Sequence, residues 1–515
     1  MFMNNPDIDL CLKVYNIPET EFMRKITEVT LPKIKVHQVV YLPMMDEILT
    51  IENLKETAEN YQTYLKNKEE GVDMRKTIEE TKKRNNEEKK RIIHSINESR
   101  SGENSIGIHL LKKHYIEEMG WNKNPMYLTK SRLYRPEKNV MVRILSPIEF
   151  PVDWNNRMIK QSVIDKSKIK TKNLFSFSSI KFKISTGVDG DAVKNLWQWC
   201  WLPFNPENLE VPDQRRVETV EETYNYIKVD AIMIHIHGGG FIAMSSSSHQ
   251  SYSRKWANEI GIPIFSIDYR LAPENAYPAA LNDVWQAYYW LVNNITTYFG
   301  IKPEKIIVSG DSAGGNLTWA LTMLAIEKHF RVPDFILPVY PALNLSKINF
   351  SPSLILSLDD FILPFSFLMM WVDSYVKDAD PEMEFLSPSN CPQNVLKKFP
   401  PTHILTAGND PLRDEQYKFV LKLINSGVDI KCKEYLCFPH GFLSFDLPIG
   451  GIDECSVCIK DSIGIFKEFI NKDKKEDEQD LQREKDQVFD ESFNQNEKFE
   501  AEALNKEGYS RKMRE

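Results

Sequence analysis

The sequence predicts an α/β fold in which a mainly parallel sheet is flanked by helices, and three observations lead to that prediction. Short apolar runs alternate with helical patterns from about residue 175 to residue 470. A Gly-x-Ser-x-Gly pattern, made by Gly310, Ser312 and Gly314, stands between one such run and a helical segment. A three-glycine stretch, residues 238–240, directly follows another run, in a chain with only 21 glycines.

The N-terminal region, residues 1–175, is rich in Lys, Glu and Asn and is expected to be mostly helical. Apolar residues recur at steps of three and four between Ile51 and Leu65, which predicts an amphipathic helix. Residues 108–121 also have a helical pattern. The mixed charges of residues 67–91 favour a solvated helix or loop over a binding patch.

A second predicted domain, with an α/β pattern, covers residues 176–470. Residues 180–185 alternate in polarity, which is typical of a strand. Five further apolar runs predict buried strands, and helical stretches separate most of them; the runs are 231–236, 263–269, 305–310, 335–341 and 402–408. The chain shows no internal repeat. Residues 471–515 are highly charged with few large apolar side chains, so we expect a disordered tail or a solvated helix.

Composition excludes several classes of function. A net charge of −8 offers no basic excess to neutralise phosphates, so nucleic acid is not an expected partner. The apolar run 360–371 contains Pro364 and is too short to span a bilayer. The start of the chain has no pattern of a secretory signal, so we expect a cytoplasmic protein with free thiols.

Two of the seven cysteines, Cys455 and Cys458, form a Cys-x-x-Cys pattern. A zinc site needs a second pair of ligands at suitable spacing, and the sequence offers none. An ordinary structural role is therefore favoured over a metal or redox site. No metal and no cofactor are expected.

Ser312 is the candidate nucleophile. A sharp turn between strand and helix exposes a serine hydroxyl above the sheet, and Gly310 and Gly314 stand where larger side chains would collide. The helix that follows presents free N–H groups and the positive end of its dipole to developing negative charge. The pattern alone is weak, but its position between a strand and a helix strengthens it.

The glycine stretch supplies a candidate oxyanion hole. Attack on an ester carbonyl creates an oxyanion, which preorganised N–H donors stabilise at about 2.7–3.1 Å. His237 and Gly238 begin a His-Gly-Gly-Gly sequence after a strand and upstream of Ser312, and this order matches an oxyanion loop. The amide of Ala313, next to the nucleophile, would add a donor.

A base and an acid are needed to complete the set, because a serine hydroxyl is a weak nucleophile on its own. His440 lies in a Pro-His-Gly loop after a strand-like segment, and it follows Ser312 in the chain. Asp410 lies between them, at the end of a predicted strand, where it could orient the imidazole. Asp414, which with Glu415 we expect in the first turn of a helix, is the alternative acid.

The order of these motifs resembles the hormone-sensitive lipase family of α/β-hydrolases. HGGGF, DYRLAPE (268–274), GDSAGG, DPLRDE and HGF occur in the family's order, and the resemblance covers about residues 175–470. It implies an α/β-hydrolase fold, an oxyanion hole made by Gly239, Gly240 and Ala313, and a supporting role for His237 in the loop. The interval from Ser312 to Asp410 is too short for the regulatory insert of the family's animal members.

The resemblance also implies a function. It favours a serine lipase that hydrolyses acylglycerols or sterol esters, with a lipid-binding or cap-like N-terminal region and a possible lipid-droplet or membrane surface as partner. The alternatives are a short-chain carboxylesterase and a non-catalytic receptor of the same fold, although such receptors lack the histidine found here at position 440. The apolar segments 361–371 and 196–204 could line an acyl pocket or belong to the core. The oligomeric state is not predicted.

Overall fold

The computed structural model of the chain describes residues 27–45, 48–69, 139–151, 226–346, 350–447 and 451–472. The helix predicted at 108–121, the strand at 180–185, the segment 196–204, most of the charged segment 67–91 and nearly all of the tail lie outside these ranges. The chain forms two compact units, residues 1–461 and 462–515. Among the described residues, the second unit holds the C-terminal part of the last helix and the two residues after it.

Eight strands in the described part of the chain form one sheet. They are β1 (Val36–Pro43), β2 (Asn139–Ser146), β3 (Ile227–Ile236), β4 (Ile264–Asp268), β5 (Ile301–Asp311), β6 (Phe335–Val339), β7 (Thr402–Asn409) and β8 (Ile430–Pro439). Their order across the sheet is β1-β2-β4-β3-β5-β6-β7-β8. The pairings of β2 with β1 and with β4 are antiparallel and the other five are parallel, so the sheet is mixed but mainly parallel.

The helices of the described residues come between these strands and after them. They are α1 (Ile51–Glu69), α2 (Gln250–Ile260), α3 (Ala279–Phe299), α4 (Ala313–Glu327), α5 (Pro352–Leu356), α6 (Phe365–Val376), α7 (Gln393–Leu396), α8 (Arg413–Asn425) and α9 (Cys455–Ile470). Short 3₁₀ turns cover Pro388–Asn390 and Phe442–Phe445. None of the described helices is both long and apolar enough to cross a membrane.

The central strands are apolar runs because both faces of a parallel sheet are covered by helices. Every residue of β4 and β6 is buried, as are the last six residues of β3. All fifteen residues of α4 are also buried, so α4 is covered around its whole circumference rather than along one stripe. The carboxyl ends of β3, β4 and β6 are therefore supported by a fully buried core.

The five apolar strands predicted from the sequence are present as β3 to β7, and the predicted helix at residues 51–65 is the longer α1. The described part of residues 1–175 also contains β1 and β2, which join the same sheet as β3 to β8. The described part of residues 1–175 therefore contains strands as well as the predicted helix. The domain boundary at residue 175 stays a prediction.

Candidate active site

Ser312 stands at the turn between β5 and α4, as the sequence predicts. Its backbone has φ 55° and ψ −115°, a conformation that a residue with a side chain rarely adopts. A hydrogen bond to β6 stabilises the turn, because the amide of Ser312 donates to the carbonyl of Val339 at 2.9 Å. Its own carbonyl accepts from Ala342 at 3.2 Å and from Asn316 at 3.1 Å. The strain is thus confined by hydrogen bonds to β6, to the loop after it and to α4.

The two glycines around Ser312 are required by close contact between backbones. A Cβ atom added to Gly314 would lie 2.0 Å from the carbonyl oxygen of Ile236, at the end of β3. A Cβ atom on Gly310 would lie 2.5 Å from the carbonyl oxygen of Gly314. Real Cβ atoms do not approach backbone atoms this closely. Glycine at both positions therefore lets the first turn of α4 pack directly on the end of β3.

Ser312, His440 and Asp410 form a continuous chain of hydrogen bonds. Nε2 of His440 lies 2.8 Å from Oγ of Ser312, and Nδ1 lies 2.8 Å from Oδ2 of Asp410. Because a carboxylate only accepts, the hydrogen of the neutral imidazole sits on Nδ1, and Nε2 is free to accept from the serine hydroxyl. His440 and Asp410 are 5% and 0% exposed, so these bonds are shielded from water.

Asp410 follows β7 and His440 follows β8, so both side chains extend from the carboxyl ends of neighbouring strands. The second oxygen of Asp410 accepts the amide hydrogen of Leu412 at 2.8 Å, which fixes the carboxylate at the start of α8. The alternative acid, Asp414, lies in the first turn of α8 and accepts from the amide of Ser353 at 2.8 Å. The structure therefore brings Asp410, and not Asp414, into contact with the imidazole.

The environment of His440 favours the charged imidazolium. Burial by itself lowers the pKa of a histidine, but the carboxylate of Asp410 outweighs it, and the pKa of His440 is raised above its usual value of 6.5. The carboxylates of Asp311 and Asp360 add to this effect at longer range. An imidazolium formed during a proton transfer is thus stabilised where it forms.

The glycine loop after β3 lies beside Ser312. Gly239 and Gly240 have φ values of 112° and 60°, which favour glycine. A Cβ atom on Gly240 would lie 2.3 Å from the indole ring of Trp371, so α6 packs directly on the loop. Gly240 and Ala313 line the same small pocket as Ser312. As the first residue of α4, Ala313 has an amide with no acceptor inside the helix.

His237 begins this loop and is fully buried. Its ring stacks on Tyr269 with a centroid distance of 4.2 Å, and Nδ1 lies 2.7 Å from the carbonyl oxygen of Gly238. Tyr269 in turn donates from its hydroxyl to the carbonyl of His237 at 2.9 Å. Burial lowers the pKa of His237 well below 6.5, so its ring is neutral. These contacts fix the start of the glycine loop against Tyr269.

A buried ion pair behind the loop was missed from the sequence. Asp311 and His249 lie 3.4 Å apart, and Oδ1 of Asp311 accepts from the amide of Gly238 and from the hydroxyl of Tyr252, both at 2.9 Å. Burial would raise the pKa of Asp311, but His249 lowers it below its usual range, and Asp311 likewise raises that of His249. Chain order could have pointed to this pair, because His249 follows the glycine stretch and Asp311 directly precedes Ser312.

The small pocket beside Ser312 is apolar. It is lined by Gly240, Phe241, Ser312, Ala313, Ala342, Leu345, Leu363, Leu368, Trp371, Val372 and Leu412. Three of these residues, Leu363, Leu368 and Trp371, come from the apolar segment 361–371, which covers the loop before α6 and part of α6 itself. Part of the segment 361–371, for which a place in the core was the alternative, therefore lines the pocket beside Ser312. Phe361, at the start of the segment, is 83% exposed.

The cysteine pair lies apart from this chemistry. Burial raises the pKa of Cys455 to about 11 and that of Cys458 to about 12, so both thiols are protonated at neutral pH. Within the described ranges, no group of three His, Cys, Asp or Glu side chains is arranged to hold a metal ion.

Comparison with known proteins agrees with this geometry. A family model described as the alpha/beta hydrolase fold matches residues 233–444. The hormone-sensitive lipase of Bos taurus is 47% identical over 145 residues, which are 28% of this chain and 19% of that protein. Carboxylesterase NlhH of Mycobacterium tuberculosis is 31% identical over 227 residues, which are 44% of this chain and 70% of that esterase. The chain belongs to the hormone-sensitive lipase family of α/β-hydrolases.

The likeness to the mammalian lipases is partial, because the chain spans about a fifth of their length. A carboxyl esterase 2 from the fungus Tuber melanosporum is a similar solved structure, with 20% identity, a TM-score of 0.47 and coverage of 65% of this chain and 82% of that one. In this hormone-sensitive lipase family member, residues 233–444, which the family model matches, contain every residue of the predicted site.

Proposed function

We propose that the chain is a serine carboxylic-ester hydrolase that works through an acyl-enzyme intermediate. The observation that carries the proposal is the hydrogen-bonded chain from Ser312 through His440 to Asp410, buried beside the glycine loop. Family membership supports it, since the similar proteins include lipases and carboxylesterases by name.

The first half of the proposed reaction is acyl transfer to the enzyme. His440 accepts the proton of the Ser312 hydroxyl through Nε2 as Oγ attacks the ester carbonyl. The carbonyl oxygen becomes an oxyanion, which the amides of Gly239, Gly240 and Ala313 stabilise. His440 then donates its proton to the departing alkoxide, so the alcohol leaves neutral and the acyl group remains on Ser312.

The second half is hydrolysis of the acyl-enzyme. The same imidazole takes a proton from a water molecule, which attacks the acyl carbon, and returns it to Oγ of Ser312 as the fatty acid leaves. Asp410 fixes the tautomer of His440 and stabilises the imidazolium in both halves. Besides the ester and one water molecule, these steps use side chains and backbone amides of the described residues.

We further propose a lipase acting on acylglycerols or sterol esters. The apolar lining beside Ser312 suits an aliphatic acyl chain. A general short-chain carboxylesterase is the second candidate, and the tight packing of Trp371 on Gly240 favours it because that contact narrows the pocket. A cytoplasmic location, contact with a lipid droplet or membrane surface, a lipid-binding N-terminal region and a charged tail without fixed structure stay predictions.

The first experiment is hydrolysis of p-nitrophenyl butyrate by purified protein. Ser312→Ala should lower turnover on the order of 10⁶-fold. Ser426→Ala is the matched control, because that hydroxyl only donates to the carbonyl of Lys422 at the end of α8. Near wild-type turnover by Ser312→Ala would refute the proposal.

The second experiment separates the two candidate substrate classes. Rates are measured on a series of p-nitrophenyl esters from acetate to oleate. A lipase keeps activity on the long chains, whereas rates that collapse beyond about eight carbons would remove the lipase proposal and leave the esterase.

A further inference from the structure

Tyr340 lies where the turn of the candidate nucleophile meets β7. It directly follows β6, and its amide donates to the carbonyl of Leu405 in β7 at 2.6 Å. The residue before it, Val339, accepts from the amide of Ser312, and Ala342 donates to the carbonyl of Ser312. The backbone around Tyr340 is therefore fixed to the nucleophile turn on one side and to β7 on the other.

The backbone of Tyr340 is also strained. Its φ is 34°, in the left-handed region that a residue with a large side chain rarely adopts. Such conformations persist only where the surrounding structure imposes them, and they cluster at functional sites. Here the hydrogen bonds to β7 and to the turn of Ser312 impose it. The same contacts thus set the place of the tyrosine ring and of the candidate nucleophile.

The ring of Tyr340 contacts the imidazole of His440. Their centroids are 4.8 Å apart, with the two planes tilted by 56°. Phe442, two residues after His440, packs edge-on against the same tyrosine ring, also at 4.8 Å. All three side chains are buried. The imidazole is thus held against an aromatic ring in a place shielded from water.

An aromatic ring at this distance stabilises a cation. The face of the ring carries partial negative charge, and it attracts a cation within about 6 Å of its centroid, more strongly where water is excluded. The phenol itself stays neutral, because burial, together with the carboxylate of Asp311, raises the pKa of Tyr340 well above 10. Tyr340 therefore does not compete with His440 for the serine proton.

We propose that Tyr340 is a positioning residue whose ring holds the imidazole of His440 in place and stabilises its protonated form. The carboxylates of Asp410, Asp311 and Asp360 also act on the imidazole and favour that form. Asp410 does so through its hydrogen bond to Nδ1, whereas Tyr340 does so through its π electrons. The inference rests on the proposed function, since the imidazolium forms during acyl transfer.

The direct test is the pKa of His440, measured by NMR on the full chain with isotopically labelled histidine. The signal of His440 is the one that disappears in His440→Gln. Tyr340→Leu removes the ring but keeps an apolar side chain, and we expect it to lower the pKa of His440 by about half a pH unit or more. Tyr340→Phe should keep the wild-type value, because the aromatic ring remains.

Tyr435→Leu is the matched control. Tyr435 belongs to the same aromatic cluster, but it contacts Phe442 at 5.1 Å and lies one ring further from the imidazole. The same loss of a ring at that position should leave the pKa of His440 at its wild-type value. Thermal unfolding shows which of the variants are folded.

A graded series separates the π electrons of the ring from its packing. Phenylalanine that carries one, two or three ring fluorines keeps nearly the same shape at position 340, while the negative charge on the face of the ring decreases. We expect the pKa of His440 to fall at each step, whereas a role in packing alone predicts no change. The series also decides the question if Tyr340→Leu does not fold.

The kinetics should follow the titration. In Tyr340→Leu, the apparent pKa of kcat/KM on p-nitrophenyl butyrate should fall by the same amount as the pKa of His440. We also expect kcat to decrease about threefold or more with little change in KM, because the imidazolium is stabilised less in the transition state.

Two results would overturn the inference. One is an unchanged pKa of His440 in folded Tyr340→Leu or across the fluorinated series. The other is a decrease in Tyr340→Phe as large as in Tyr340→Leu, which would assign the effect to the hydroxyl. Failure of the wild type to hydrolyse p-nitrophenyl butyrate would refute the proposed function instead. The NMR titration needs no turnover, so the two failures are distinct.

Discussion

Oδ1 of Asp311 accepts the amide hydrogen of Gly238 at 2.9 Å, which ties the residue before the candidate nucleophile to the glycine loop. The same amide also lies 3.2 Å from Nε2 of His249, which lies 3.4 Å from the same Asp311 oxygen. A Cβ atom on Gly238 would lie 2.4 Å from the Asp311 carboxylate, so the loop and the nucleophile turn fit together as one unit.

The first prediction concerns this link. Asp311→Asn removes the charge that holds His249 and weakens the acceptor of the Gly238 amide, so the oxyanion donors shift. Loss of one such donor costs about 10²–10³ in kcat, and we expect a decrease of at least about tenfold with little change in KM. Steady-state kinetics on p-nitrophenyl butyrate measure it.

Asp334→Asn is the control for that variant, because Asp334 accepts from the amide of Ile306 in the middle of β5, away from the site, and pairs with Arg331. Its kcat should stay near the wild-type value. Equal losses of kcat in the two variants would mean that Asp311 has no special part in the site.

The second prediction concerns the close contact of α4 with β3. Gly314→Ala would put a Cβ atom 2.0 Å from the backbone of Ile236, which cannot move without breaking β3. We expect a loss of several kcal/mol in the free energy of unfolding, or no folded protein. Urea unfolding followed by circular dichroism measures it.

Gly427→Ala is the matched control, since a Cβ atom there meets nothing within 4 Å and only the φ of +77° opposes it. That strain costs about 1–2 kcal/mol. A Gly314→Ala variant as stable as Gly427→Ala would contradict the close packing.

The third prediction concerns pH. His440 acts as a base only when neutral, and its pKa is raised above 6.5, so kcat/KM should rise with pH through an apparent pKa above that value. Asp410→Asn removes the nearest carboxylate. The apparent pKa should then move down, and kcat should fall about 10⁴-fold because the imidazole loses its fixed tautomer.

The control is Asp414→Asn, which removes a carboxylate four residues further along that contacts Ser353 and Arg413 rather than His440. Its pH profile of kcat/KM should match the wild type. If Asp414→Asn had the larger effect on the profile, the assignment of the acid would be reversed.

The fourth prediction concerns Glu327, at the end of α4. Both carboxylate oxygens are buried without a hydrogen-bond partner among the described residues, and burial, aided by Glu384, raises the pKa from 4.5 to about 8. Between these values the folded state holds a proton that the unfolded state releases. Stability is therefore full below pH 4.5 and is lost as the pH rises towards 8, by on the order of 1 kcal/mol per pH unit.

Glu327→Gln should remove this dependence and make the protein more stable at pH 8. Thermal unfolding of wild type and variant at pH 5, 6, 7 and 8 measures it, because other titrating groups cancel in the difference. A constant difference between the two proteins over this range would show that Glu327 does not titrate there.

Local patterns in the sequence were enough to predict much of the fold. The strands β3 to β7 are short buried runs between turns, and each was recognised with an error of a few residues. The two strands β1 and β2 were missed because they join the sheet across long stretches of chain. Arg143, a buried charge within β2, also interrupts the apolar pattern of that strand. The pairing of β2 with β4 is visible only in three dimensions.

The residues of the candidate site were likewise predicted only in part from the sequence. Ser312, His440 and Asp410 stand at motif positions, so their contact could be predicted from chain order, although their catalytic roles stay predictions. The Asp311–His249 pair was not predicted. An acidic residue at the end of a strand is ordinary by sequence, and only burial and neighbouring side chains give Asp311 a special environment.

The most direct measurement is covalent labelling with a fluorophosphonate, followed by mass spectrometry of the digested protein. An activated serine loses its proton to the base and forms a phosphonyl ester as fluoride leaves. We expect a single adduct, on Ser312, and none in Ser312→Ala or after heat unfolding. No adduct on the folded protein, or an adduct on a different serine that persists in Ser312→Ala, would contradict the assignment of Ser312 as the nucleophile.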